Sequence, residues 1–189
     1  MTALVRSELL KVRTVRSWWA YLIVLVLLVG GGTAAEVGSR SAAERTGLDF
    51  QLALADLVGI TSLLAIILGI TIVTTEFRHG TITPTLLGTP SRERVLAGKL
   101  LAGLILAVVF ALLAFFVIVA IAVPWTSIDG GELSLTDGEV LQRAGQALLG
   151  VVLWLLIGVA IGSVVHSQVA ALVGTLVWIF VVETLLWGL

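Results

Sequence analysis

The chain opens on a short basic segment and then alternates between long apolar runs and short polar connections. Five runs stand out: Trp18–Ala35, Leu57–Thr75, Leu100–Trp125, Gln146–Val165 and Val169–Trp187. Each is 18 to 26 residues long, close to the roughly 20 a helix needs to cross the hydrocarbon core of a bilayer. Lipid offers no hydrogen-bond partner to the backbone, so such runs are expected to be helices. None shows the ten-residue alternation of a membrane β-strand. The pattern predicts an all-α, polytopic integral membrane protein, a single transmembrane domain over residues 1–189 with about five spans.

The segment before the first run has a pattern of its own. Leu4, Val5, Leu9, Val12 and Val15 recur at helical spacing, with Arg6, Lys11 and Arg13 mostly off that face. This predicts an amphipathic helix over residues 1–17, lying at the membrane interface with its cations at anionic headgroups. A basic segment that only sets orientation reads equally well.

Composition agrees with the pattern. Of 189 residues 59% are hydrophobic, 12% are charged and none is cysteine, and the mean hydropathy is +1.14. An average globular chain is about 25% charged, so a soluble enzyme, a disordered chain and a disulfide-stapled secreted module are excluded. The net charge of −1 conceals an asymmetry. The N-terminal segment and the second connection together carry eight basic and three acidic residues; the first and third connections carry three basic and eight acidic. Glu183, inside the last run, is the remaining acid. Lysine and arginine mark the cytoplasmic side, which predicts a cytoplasmic N-terminus in the cell membrane. The basic start, apolar run and Thr33-Ala34-Ala35 also have the outline of a secretory signal. The 17 residues before the run and the four later spans favour a retained anchor.

The second connection, Glu76 to Lys99, is the most informative stretch. Two Thr-Pro steps, Thr83-Pro84 and Thr89-Pro90, each have the form of a helix start. Gly80 and Gly88 stand where helices would end. The spacing predicts a helix ending near His79, an apolar turn over Pro84–Leu87, and a new helix from Pro90 into the third span. Ile82, Leu86 and Leu87 on such a turn point to lipid or another protein; a solvated basic loop is the plainer alternative.

The run Glu76-Phe77-Arg78-His79-Gly80-Thr81-Ile82, continuing to Thr89-Pro90 and Arg94…Lys99, resembles the cytoplasmic loop of bacterial ABC transporter permeases of the second type (ABC-2). Glu8-Leu9-Leu10-Lys11 before a Trp-rich first span is similar to that family too. The similarity extends over most of the chain, but only 76–99 is specific. It implies a permease subunit of an export system that dimerises, as a homodimer or heterodimer, and binds a separate ATP-binding cassette ATPase. By the resemblance, the coupling loop would use Glu76, Arg78, Gly80, Thr81, Thr83, Pro84, Leu86 and Leu87, with Pro84–Leu87 as the docking turn. The family has a sixth span, whereas this sequence reaches Leu189 directly after the fifth, which reads as a fragment, a truncated product or a short member.

Other positions carry weaker signals. Gly158 and Gly162 have the small-xxx-small spacing that lets helix backbones approach, within one subunit or across a dimer seam. His166 and Gln168 lie in a short connection that reads as a second docking point or as a plain polar turn. Glu183 is an intramembrane charge, a functional candidate by its burial cost unless it reaches the outer interface beside Trp187. Thr136-Asp137-Gly138-Glu139 has the form of a capping box.

No phosphate-binding glycine loop is present around Gly98-Lys99, so ATP hydrolysis is assigned to a partner and no catalytic residue or cofactor is expected. Two histidines 87 positions apart suggest no metal site, and Ser163 with His166 on one helix lacks the geometry of a protease. The short juxtamembrane basic runs imply lipid contact, not nucleic acid. The leading expectation is the permease subunit; the alternative is a non-transporting membrane partner, such as a self-immunity or assembly protein.

Overall fold

The computed structural model describes residues 2–14, 17–78, 80, 91–128, 130, 133–134 and 137–187, with side chains for all of these except 2, 3, 12–14, 17, 92 and 187. The described residues form helices and their links, with no strand among them. In chain order they are α1 (Thr2–Thr14), α2 (Ser17–Ser39), α3 (Leu48–Leu57), α4 (Thr61–Arg78), α5 (Arg92–Ile128), α6 (Gly138–Val164), α7 (Gln168–Val177) and α8 (Thr184–Trp187). Five stretches are long and apolar enough to cross a membrane: Trp18–Ser39, Leu48–Arg78, Glu93–Ile128, Gly138–Val164 and Gln168–Leu186.

Polar residues at the run edges explain where the helices start. Ser91 accepts the backbone N–H groups of Arg94 and Val95 and opens α5; the predicted start at Pro90 lies outside the described residues. Asp137, not Thr136, caps α6, its carboxylate accepting the Glu139 N–H at 3.0 Å. An aspartate at this position gains from the helix dipole as well as the hydrogen bond, and Glu139 then stands one place too early for a capping box. Ser167 opens α7 by accepting the Ala170 N–H.

The second span starts earlier than its apolar run. A 3-10 turn over Val58–Ile60 joins α3 to α4, so the stretch from Leu48 to Arg78 is helical and includes Asp49 and Asp56. Those carboxylates interrupt the hydrophobic pattern without ending the helix. At 1.5 Å per residue its length is about 46 Å, well beyond the hydrocarbon core, and the charges fall at its end. The fifth span is also irregular, because a π-helical segment over Trp178–Glu183 separates α7 from α8. Glu183, half-buried, closes that segment.

The most extensive packing joins α4 to α6. Its basis is missing side chains. A Cβ at Gly158 would stand 2.3 Å from the Ile66 carbonyl oxygen, one at Gly69 would stand 2.4 Å from the Leu155 carbonyl oxygen, and one at Gly162 would stand 3.0 Å from that of Ile70. The two backbones therefore touch over a full two turns, within one chain. Around this seam a core of Phe50, Leu54, Leu68, Leu155, Phe110 and Ile118 joins α3, α4, α5 and α6, and Leu25 and Val29 bring in α2. Buried threonines disturb none of this, since Thr33, Thr74 and Thr126 donate to the carbonyls of Val29, Ile70 and Ala122 four residues earlier.

Charged residues lie in two layers. Asp56 and Arg143 meet in a two-point pair at one end, and Glu76 marks the other end of the same span. The twenty residue steps from Asp56 to Glu76 rise about 30 Å, the thickness of a hydrocarbon core.

The glycine seam predicts a sharp contrast. Gly158→Ala drives a methyl into backbone and should lower stability by about 1–3 kcal/mol. Gly174→Ala meets nothing within 4 Å and should be neutral or stabilising by up to about 1 kcal/mol through helix propensity. Thermal unfolding in detergent compares them; equal midpoints would show that the α4–α6 contact is not close.

Candidate functional site

The end of the bundle that carries α1 holds a closed ring of four charges. Lys99, at the start of α5, places its Nζ 2.8 Å from Glu76 Oε1 on α4 and donates to Glu8 Oε2 on α1 at 3.0 Å. Lys11 donates to Glu8 Oε1 at 2.7 Å and to Glu76 Oε1 at 2.8 Å. The third Lys99 donor faces the Ile72 carbonyl at 3.4 Å. Positive and negative groups alternate around the ring, so its formal charge is zero.

Burial makes this arrangement consequential. The side chains of Lys99, Glu76 and Glu8 are 5%, 6% and 7% exposed, whereas that of Lys11 is 47% exposed. Desolvating single charges costs several kcal/mol each, and only close, multiply hydrogen-bonded partners offset it. Burial works against the Lys11 ammonium as well, yet its hydrogen bonds to Glu76 and Glu8 outweigh that and raise its pKa above the ordinary lysine value. Lys11 therefore stays charged throughout the physiological range.

The next two residues of α4 reach another connection. Phe77 meets His166 edge to face, with ring centroids 4.5 Å apart. Arg78 Nη1 donates to Gln168 Oε1 at 3.2 Å. The last turn of α4 thus touches α1, α5 and the link between α6 and α7. Gly80 follows with φ 64° and is exposed, its N–H turned back to the Phe77 carbonyl at 3.4 Å. Such left-handed backbone suits glycine after a helix end.

Of the positions that the sequence singled out, Glu76, Arg78, His166 and Gln168 come together here, with Gly80 beside them. Thr81, Thr83, Pro84, Leu86 and Leu87 lie outside the described residues. Glu183 stands apart in the fifth span. Glu8 and Lys99 both stood in the stretches that carry the family resemblance, but sequence reasoning did not pair them with each other or with Glu76. Lys11, assigned to lipid headgroups, bridges two carboxylates instead. The signal available was Glu8, an acid among Leu4, Val5 and Leu9 on the apolar face, with Lys11 three residues on at its edge. Among the described residues no group of three or more potential ligands could hold a metal ion.

The ring predicts unequal costs at equal charge change. Lys99→Met leaves two buried carboxylates with one half-exposed cation and should cost about 3–5 kcal/mol, whereas adding Glu8→Gln restores balance and should return part of the loss. Arg143→Ala, at an exposed pair, should leave the unfolding midpoint unchanged. Equal midpoints for Lys99→Met and Arg143→Ala would show that the ring contributes no more than a surface pair.

A family model described as ABC-2 family transporter protein matches residues 4–182. Neither a curated protein nor a solved structure matches the chain.

Proposed function

Because the chain belongs to the ABC-2 family of transporter proteins, and so is a membrane permease component of an ABC-type system, we propose that it works as the membrane-spanning subunit of an exporter. In this reading a separate cassette ATPase docks on the segment between Glu76 and Lys99, and the basic end of the bundle faces the cytoplasm, where ATP is available. Two permease subunits, identical or different, complete the transporter.

The observation that carries the reading is the 2.8 Å contact between Glu76 and Lys99. These two residues bracket the segment 77–98, so its ends are tied together across the top of α4 and α5. A displacement imposed on the segment reaches both helices at once. From α4 it passes into α6, because their backbones touch at Gly69, Gly158 and Gly162. Arg78 and Phe77 extend the same contact to the link before α7. In this reading Leu86 and Leu87, outside the described residues, offer the apolar side chains for docking, and the ring gives the segment a stiff base.

ATP binding and hydrolysis in the partner would then shift the spans between inward-open and outward-open populations. A partner moves such an equilibrium only as far as its contacts differ between the two states, so the docked segment has to be seated differently in each.

Affinity purification of the tagged chain from detergent-solubilised membranes of its source cell tests this. An ATPase activity should accompany the wild-type chain and fall by about tenfold or more with Glu76→Ala plus Leu86→Ser, as expected when buried anchors of an interface are removed. Elution of the chain with no ATPase would overturn the reading.

A further inference from the structure

Apolar Leu4, Val5 and Leu9 of α1 are only half-buried on the bundle. Leu4 rests on α5, where a Cβ at Gly98 would lie 3.3 Å from the Leu4 Cβ. On its other sides Leu10 is 49% exposed, and Arg6 and Ser7 are exposed. What α1 buries instead is a carboxylate. Glu8 is tolerated there because Lys99 and Lys11 each hold one of its oxygens, and both cations also serve Glu76.

The sharing has a mechanical consequence. Lys99 can satisfy Glu8 and Glu76 together only while the end of α4 and the start of α5 remain adjacent. If those two ends separate, Lys99 follows one carboxylate and leaves the other short of a donor in a buried place. An under-compensated carboxylate on α4 is fixed in a packed helix. Glu8 is not, because α1 can leave and carry it to water. The exposed Arg6 and Leu10 then suit α1 to the membrane interface.

We propose that Glu8 and Lys99 are positioning residues that make α1 a charge-keyed latch, docked on α5 only while the two ends of the segment between Glu76 and Lys99 stay together. The latch works in both directions. Coupling free energies are reciprocal, so whatever holds α1 down also holds the segment's ends closed, and whatever opens the segment frees α1. The proposal stands on the ring and needs no ATPase.

The chain contains no cysteine, so thiols placed in it are the only ones. Leu4→Cys with Gly98→Cys puts two Cβ atoms close to disulfide distance, about 3.5–4.5 Å, and the rate of disulfide formation in membranes reports docking of α1. Glu8→Gln in this background is the decisive variant, because it removes the buried charge that ties α1 to Lys99 and leaves the Glu76–Lys99 pair intact. The rate should fall by about tenfold or more with Glu8→Gln, because α1 then leaves a neutral Glu76–Lys99 pair behind, and should not fall with Glu76→Gln, because Glu8 is then the one ring carboxylate left to buried Lys99. Inverting the whole ring (Glu8→Lys, Lys11→Glu, Glu76→Lys, Lys99→Glu) keeps every pairing and should restore the rate to within about twofold of the parent if pairing and not residue identity sets it.

Asp56→Cys with Arg143→Cys, bridged by a bifunctional thiol reagent, reports on the bundle at its far end. Glu8→Gln and Glu76→Gln should both leave that bridge intact. An unchanged disulfide rate with Glu8→Gln overturns the latch, as does a rate that falls equally with Glu76→Gln while the far-end bridge is intact, or an inverted ring as slow as Glu8→Gln.

Discussion

A carboxylate buried on a short N-terminal helix governs how one end of this molecule is put together. Glu8 sits at the edge of a membrane bundle, where an isolated charge would be expelled or neutralised. It stays because two ammonium groups from different places in the chain converge on it, and those groups need Glu76 for their own compensation. No pair within the ring is complete without the others. Charge therefore fixes α1 against the ends of α4 and α5, which share an apolar core of their own.

Behind the ring the bundle uses the opposite chemistry. Between α4 and α6 there is no charge and little side-chain volume, only glycines that admit the facing carbonyls. In lipid there is no hydrophobic gain from bringing two apolar helices together, so close van der Waals approach has to supply the association. The two devices are complementary. The ring settles which helices meet at the end of the bundle, and the glycine seam makes α4 and α6 move as a unit, so a displacement at the ring is carried inward without loss.

Much of this was legible in the sequence. Run lengths gave the five spans, because the bilayer imposes a minimum length on any helix that crosses it. Helical spacing of Leu4, Val5 and Leu9 indicated α1. The edges were less legible where charge and helix disagree: Asp49 and Asp56 end an apolar run but not a helix. Asp137 in place of Thr136 as the cap shows the same limit, since adjacent residues of similar capping strength are separated only by backbone geometry. The ring was hidden for a deeper reason. Glu8 and Lys99 are 91 positions apart, and no local period connects them. Counting charges by segment, which places lysines on one side of a membrane, treats Lys99 as one of many cations and cannot reveal that its ammonium faces inward.

The two charged layers have a consequence for the membrane around the protein. Asp56 with Arg143, and Glu76 with Lys99, bound an apolar height of about 30 Å in the second span. The third span has no charge from Leu100 to Ile128, which is about 43 Å of helix. In a bilayer matched to the second span, the third is too long and must lean, and a thicker bilayer lets it stand more upright, at a cost of fractions of a kcal/mol per Å of mismatch. Its pivot is Lys99, held in the ring. Hydrophobic mismatch is thus transmitted to the same ammonium that binds α1, and the lipid thickness of the host membrane becomes a mechanical input to the junction.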